Sequence, residues 1–181
     1  MRTARTGTVQ VHVNAPAERV WALLSDLERM GEWSPECYRV AWEGGASSPA
    51  VPGARFRGWN RYGRMRWSVA CQVKTAVPNK ELSWSTLVRG KEMVTWSYRI
   101  EPSDGGVNLV ESFEVHWLPL SARIAEDYLM ADRDRRREQA MRQTLERLKA
   151  EAEAGGGTTS CWPAGACSSS AGEAAATSPP P

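Results

Sequence analysis

Glu111 is the sharpest chemical anomaly in the sequence. It shares alternation parity with Leu109, Phe113 and Val115, so a strand here turns its carboxylate toward an apolar interior. A carboxylate taken out of water must be paired, hydrogen-bonded or protonated. Such a group can serve as a general acid or base, or anchor the hydroxyl or carbonyl of a guest molecule. The plainer alternatives are a structural ion pair with an interior arginine, or a bulge that swings the side chain outward. Glu36 has the parity of Tyr38, Val40 and Trp42 and follows Ser34-Pro35. That places it near the mouth of the same interior, either as a second carboxylate facing a guest or as a rim residue in water. Asn60 offers a donor and an acceptor if Phe56, Gly58 and Asn60 turn inward; otherwise it only begins the turn at Tyr62-Gly63. In the opposite register Arg55, Arg57 and Trp59 point inward, and Arg55 or Arg57 could pair with Glu111. Parity leaves both registers open.

The walls around these groups are aromatic. Trp67, Trp84, Trp96, Tyr98 and Trp117 all fall on the apolar side of alternating segments, and Tyr38 joins them on an earlier one. Leu and Val fill a core more simply, whereas indole and phenol groups want hydrogen-bond partners. Together they suit a flat, polycyclic or acyl guest, and all six count with Glu36 and Asn60 as candidate ligand contacts. Both histidines, His12 and His116, fall on the polar side of their strands. This argues against Ser-His-Asp or Cys-His catalysis and against a zinc site. Catalysis would rest on carboxylate, amide, phenol or guanidinium groups, which suit aldol cyclisation or dehydration better than hydrolysis. No metal or cofactor is expected.

The elements that position these residues follow from periodicity. Val9, Val11 and Val13 alternate with polar residues as a first strand, and Asn14-Ala15-Pro16 ends it. Pro16 suits the first turn of a helix, and Val20, Leu24 and Leu27 follow at helical spacing. Gly31 and then Trp33-Ser34-Pro35 force an extended exit. From Glu36 to Trp117 the period is two, punctuated by Tyr62-Gly63, Pro78-Asn79, Gly90 and Asp104-Gly105-Gly106. After Pro119, Ile124, Tyr128, Met141, Leu145 and Leu148 mark one side of a helix reaching about Ala154. Asp132 to Glu138 is almost all charge, yet holds no Gly or Pro, which favours one continuous helix. The arginines at 133, 135, 136 and 137 could attract an acidic partner or membrane headgroups, but the interleaved Asp132, Asp134 and Glu138 favour a solvated helix face.

The pattern predicts an α+β fold: a curved antiparallel sheet of about seven strands wrapped around a long C-terminal helix, with two short helices after the first strand. An antiparallel sheet with an aromatic concave face closed by a helix makes a pocket rather than a solid core. Residues 1–7 are expected to be a flexible N-terminus and 8–154 the folded domain. Residues 155–181 form a Gly/Ser/Ala/Pro tail whose only charge, Glu173, and lack of apolar surface predict disorder.

The chain has 181 residues and a formal net charge of +2, without the basic excess of a nucleic-acid binder. No apolar run approaches the ~18 residues of a membrane span, and none follows Arg2 and Arg5 to make a secretory signal. The cytoplasm is the expected location. The spacing of Cys37, Cys71, Cys161 and Cys167 matches no zinc pattern, and Cys71 reads as a buried thiol. The oligomeric state is not legible.

The order of elements resembles the helix-grip fold of the START-like (SRPBCC) superfamily, which includes polyketide cyclase/dehydrase and lipid-transport proteins. Asn14-Ala15-Pro16-Ala17-Glu18-Arg19-Val20-Trp21 resembles that family's passage from first strand to first helix. Trp33-Ser34-Pro35-Glu36 resembles its way into the second strand, and Gly53 to Asn60 through Trp67 a segment of actinobacterial members. Gly105-Gly106 with Val110-Glu111-Ser112 resembles the last hairpin, and Thr144 to Lys149 the helix end. The resemblance spans about Thr8 to Glu153 and implies an internal cavity for a hydrophobic small molecule. It leaves open a cyclase or aromatase-like enzyme using Glu111, and a protein-interaction module with a vestigial cavity, since one fold hosts many activities.

Overall fold

The computed structural model describes residues 6–44, 50–124 and 133–155. Seven strands form one antiparallel sheet: β1 (Thr6–Val13), β2 (Cys37–Trp42), β3 (Arg55–Tyr62), β4 (Met65–Val77), β5 (Glu81–Val88), β6 (Lys91–Ser103) and β7 (Gly106–Val115). Their spatial order is β1-β7-β6-β5-β4-β3-β2. Consecutive strands from β2 to β7 are therefore neighbours joined by tight turns, and β1 closes the far side against β7. β1 starts at Thr6, where Thr6 faces Glu114 and Gly7 faces Phe113. The ordered strand thus begins two residues before the expected Thr8.

Between β1 and β2 lie α1 (Ala17–Ser25), a 3-10 turn (Leu27–Arg29) and the single-turn α2 (Met30–Trp33). Pro16 caps α1 with extended backbone, as its fixed φ and missing N–H allow. Ser34 Oγ accepts from the backbone N–H groups of Glu36 and Cys37, at 3.3 and 3.0 Å, and so turns the chain into β2. After β7 come α3 (Leu120–Ile124) and α4 (Arg133–Ala154). Whether helix runs continuously through 125–132, and where Tyr128 sits, falls outside the described residues, as does the expected tail from 156 on. Ile124 departs from its expected place on an apolar side, being 48% exposed.

One end of the grip is solid and the other hollow. Leu24, Leu27, Leu82, Leu109, Leu145 and Leu148 are all 2% exposed or less and pack α1 and the C-terminal half of α4 onto the sheet. Leu145, fully buried, sits where this core meets the hollow. Leu145→Ala is expected to cost about 3 kcal/mol, the usual loss for a buried leucine whose surroundings relax only partly. Urea unfolding should register it as a lowered midpoint at unchanged slope.

Candidate functional site

The inward faces of β2 to β7, with α2, α3 and α4, enclose a cavity of about 520 Å³. Its lining decides the register that parity left open. Phe56, Gly58 and Asn60 face it, while Arg55 and Arg57 lie on the outer face beside Glu43, at 3.6 and 3.8 Å. Neither arginine reaches Glu111. Trp67, Trp84, Trp96 and Tyr98 line the cavity as expected, joined by Val69, Cys71 and Thr86. Phe56, Trp84 and Tyr98 of the lining continue a row of edge-on or stacked rings that starts at Trp42 in the core, with successive centroids 5.5, 6.0 and 5.4 Å apart.

Two expected contacts are corrected. Tyr38 does not line the cavity. Cys37 pairs with Asn60 and Arg39 with Trp59, so Tyr38 is the extra residue of a β-bulge. The bulge shifts parity, and Cys37 faces the cavity in its place, while the Tyr38 ring lies under the Arg66 guanidinium at 5.5 Å. Trp117 does not line it either. β7 ends at Val115, so the alternation that aimed Trp117 inward has already stopped, and Leu118 and Pro119 take that wall. The Trp117 indole N–H is buried without an acceptor among the described residues.

Glu111 is where its parity put it, 3% exposed on the cavity wall. Its register neighbours are Val9 on β1 and Tyr98 on β6. The Tyr98 hydroxyl donates to Glu111 Oε1 at 2.7 Å, and Trp84 stacks on the phenol and holds it. Oε2 has no hydrogen-bond partner, and no arginine pairs with this carboxyl, among the described residues. Burial pushes the Glu111 pKa up to about 8, against the smaller opposing pull of the Tyr98 hydrogen bond. At neutral pH Glu111 is therefore a neutral acid whose Oε1 is already used. Its proton belongs on Oε2, where it can be donated to a guest. The same burial, together with the Glu111 charge, holds the Tyr98 phenol well above its usual range, so it remains a donor.

Glu36 stands at the mouth. Arg133, the first residue of α4, makes a two-pronged pair with it at 2.6 and 2.8 Å, and the Arg133 guanidinium lies 5.6 Å from the Tyr62 ring centroid. Glu36 is a rim residue tying the start of β2 to the start of α4.

The sequence reading missed several cavity residues. Arg133 and Arg137 line the cavity, with Arg137 only 3% exposed and its guanidinium 4.7 Å from the Phe113 centroid. The solvated-face reading holds for Arg135 and Arg136 but not for these two. The signal was present: 133, 137, 141 and 144 recur at helical spacing, and Met141 and Thr144 lie on the same cavity-facing side. Both histidines point away from the cavity, His12 bonding Asn108 and His116 bonding Thr95. Among the described residues no cluster of His, Cys, Asp or Glu could hold a metal ion.

Burial also pushes the cavity thiols up, Cys37 to about 11 and Cys71 to about 12. The thiolate is the reactive form, so alkylation of Cys37 by iodoacetamide at pH 8 is expected to run about 100-fold slower than that of a free thiol. Peptide mapping of a timed reaction checks this.

Residues 4–153 match the family described as polyketide cyclase / dehydrase and lipid transport. The chain belongs to that family. A solved structure of a Polyketide_cyc-like protein from Corynebacterium glutamicum is 27% identical, with a TM-score of 0.55, covering 89% of this chain and 99% of that one. The Zhui aromatase/cyclase from Streptomyces sp. R1128 shares the fold at 16% identity and a TM-score of 0.65, covering 86% and 98%. The di-domain ARO/CYC StfQ of the steffimycin biosynthetic pathway does so at 15% and 0.64, covering 85% of this chain and 52% of StfQ. A search of curated proteins finds no match. The chain thus has the helix-grip fold of its family, built around a cavity that can take a small molecule. Among the described residues no helix is long and apolar enough to cross a membrane.

Proposed function

We propose that the protein binds a hydrophobic, carbonyl-bearing small molecule, aromatic or lipid-like, in the cavity beneath α4. The observation that carries this reading is Glu111: a neutral carboxylic acid at pH 7, only 3% exposed on an aromatic wall, with no partner for Oε2 among the described residues. Its O–H would donate to the guest carbonyl, Asn60 supplies a second polar contact, and the aromatic walls supply the rest of the binding energy. A cavity of about 520 Å³ is within the range of ligand sites and speaks against the reading in which it is vestigial.

A second reading is favoured by the same pair of residues. A neutral acid backed by a phenol can polarise a carbonyl and stabilise the enol that forms from it. The protein would then act on an enolising poly-ketone, as a cyclase or dehydratase. The aromatase/cyclase names of Zhui and StfQ make that reaction class worth testing here.

The test is to purify the full chain under native conditions and identify any retained guest by mass spectrometry, for the protein and for Glu111→Gln. Pure binding predicts that Glu111→Gln keeps the guest with a modest change in affinity. Catalysis predicts retained binding with turnover down by about 100-fold or more. Failure of the native protein to retain a guest or to bind any added aromatic ketone would contradict both readings.

A further inference from the structure

The open end of the grip is chemically unlike the rest of the surface. The sheet is antiparallel, so the β3–β4 turn, the β5–β6 turn and the chain leaving β7 all lie at one end. Arg133 pairs with Glu36 there, which brings the start of α4 to the same rim. Arg64 and Arg66 flank the first turn, Arg89 and Lys91 the second, Arg123 belongs to α3 and Arg136 to α4, and all six are exposed. None of them makes an ion pair among the described residues, nor does the exposed Lys80 at the opposite end, whereas Arg29, Lys74, Arg99, Arg142 and Lys149 each face a carboxylate. On the same rim the carboxylate of Glu36 is held by Arg133, and that of Glu92 by Lys74 and Ser85. Among the described residues, a chain whose formal net charge is only +2 thus gathers six exposed cations without ion pairs around its cavity mouth.

The apolar surface is placed just as unevenly. Leu120 is 70% and Ile124 48% exposed, the two largest such values among the exposed large hydrophobic residues of the described chain. They stand four apart on one face of α3, while Ser121 and Ala122 on the same helix line the cavity. No residue of α3 is buried.

We propose that this rim docks on an anionic lipid bilayer. Five of the six cations are arginines, whose planar fork engages phosphate oxygens two at a time. Leu120 and Ile124 would enter the boundary between headgroups and acyl chains. Exposed aliphatic side chains set among unpaired arginines match a lipid interface better than an acidic protein surface, whose contact core would have to bury those charges. Docked this way, the mouth opens onto the phase in which a hydrophobic guest dissolves. That last consequence rests on the guest-binding reading; the docking itself does not.

Sedimentation of the full chain with vesicles tests it, comparing phosphatidylcholine alone with phosphatidylcholine containing about 30% phosphatidylglycerol, the kind of anionic surface that attracts basic segments. Binding to the anionic vesicles only, weakening as salt rises, is expected. The triple variant Arg64→Glu, Arg89→Glu, Arg123→Glu should bind about 100-fold more weakly, since each such charge contributes several-fold. Leu120→Ser with Ile124→Ser should lose about tenfold or more. Lys80→Glu with Arg99→Glu, at the opposite end, should bind like the parent. No association at low salt, as expected if the rim serves an acidic protein, or equal loss in the control variant, would overturn the proposal. The variants leave the cavity lining untouched, so retained binding of an aromatic ketone separates failed docking from a failed guest site.

Discussion

Gly58→Phe is expected to weaken guest binding about 100-fold while leaving the fold intact. Gly58 faces the cavity from β3, between Val40 on β2 and Val69 on β4. A Cβ there would meet only Cys37 Sγ at 3.8 Å and Asn60 Nδ2 at 4.0 Å, which is ordinary contact. Its φ lies outside the left-handed region, so a side chain brings no backbone strain. An aromatic residue also suits a strand better than glycine does. The added ring has one place to go, the hollow that the guest would occupy. Affinity for Prodan, a naphthyl ketone whose emission reports the polarity around it, should fall about 100-fold, or roughly 2.7 kcal/mol. The urea midpoint should stay level or rise. Unchanged affinity in a folded Gly58→Phe protein would place the guest elsewhere.

The second large effect is a pH dependence that resides in one carboxyl. Glu111 takes up its proton far more readily in the folded chain, at about 8, than at the ordinary carboxylate value of 4.5. Between those two values the folded state holds a proton that the unfolded state has released. Stability is therefore greatest below the unfolded pKa and is lost as pH rises through the folded one, by roughly tenfold in the folding constant per unit. Above about 8 both states are ionised and the loss levels off. Glu111→Gln removes the titration, so its stability should be nearly flat across the window in which the parent declines. Ketone binding should follow the same group. It should hold steady below about 8 and weaken above, because an ionised Oε2 repels a carbonyl oxygen instead of donating to it. Glu111→Gln, which keeps a donor, should bind with no such dependence. Denaturation and Prodan titrations at a series of pH values check both. A parent protein with no decline between pH 5 and 8 would contradict this account of Glu111.

Much of this architecture was legible because its signals are local and periodic. Val9 to Val13, Trp67 to Val73, Trp84 to Thr86 and Leu109 to Val115 hold a period of two strongly enough to survive Ala70 and Val110, so their inward faces, Glu111 included, followed from parity alone. The exceptions have physical causes that parity cannot carry. A bulge turns on pairing geometry between two strands, and nothing in Cys37-Tyr38-Arg39 shows which residue will be the extra one. Trp117 failed because β7 stops at Val115 although β6 runs on to Lys91: the N–H groups of His116 and Trp117 both turn to the Met93 carbonyl, and the ladder that would have fixed parity is broken there. Arg133 and Arg137 were read by composition as a charged run, and composition hid their helical spacing with Met141 and Thr144. The register of β3 needed the neighbouring strands, since both of its faces carry an aromatic residue.

The reading comes down to a buried acid that stays neutral under physiological conditions on the wall of an open, aromatic-lined hollow. Carbon-13 NMR of protein labelled at the glutamate side-chain carboxyl tests this most directly, with Glu111→Gln assigning the resonance. The Glu111 signal should titrate at about 8 and shift when an aromatic ketone is added. A signal that titrates near the ordinary carboxylate value and ignores the ketone would mean that Glu111 is solvated or paired with a cation, and the proposed site would fail with it.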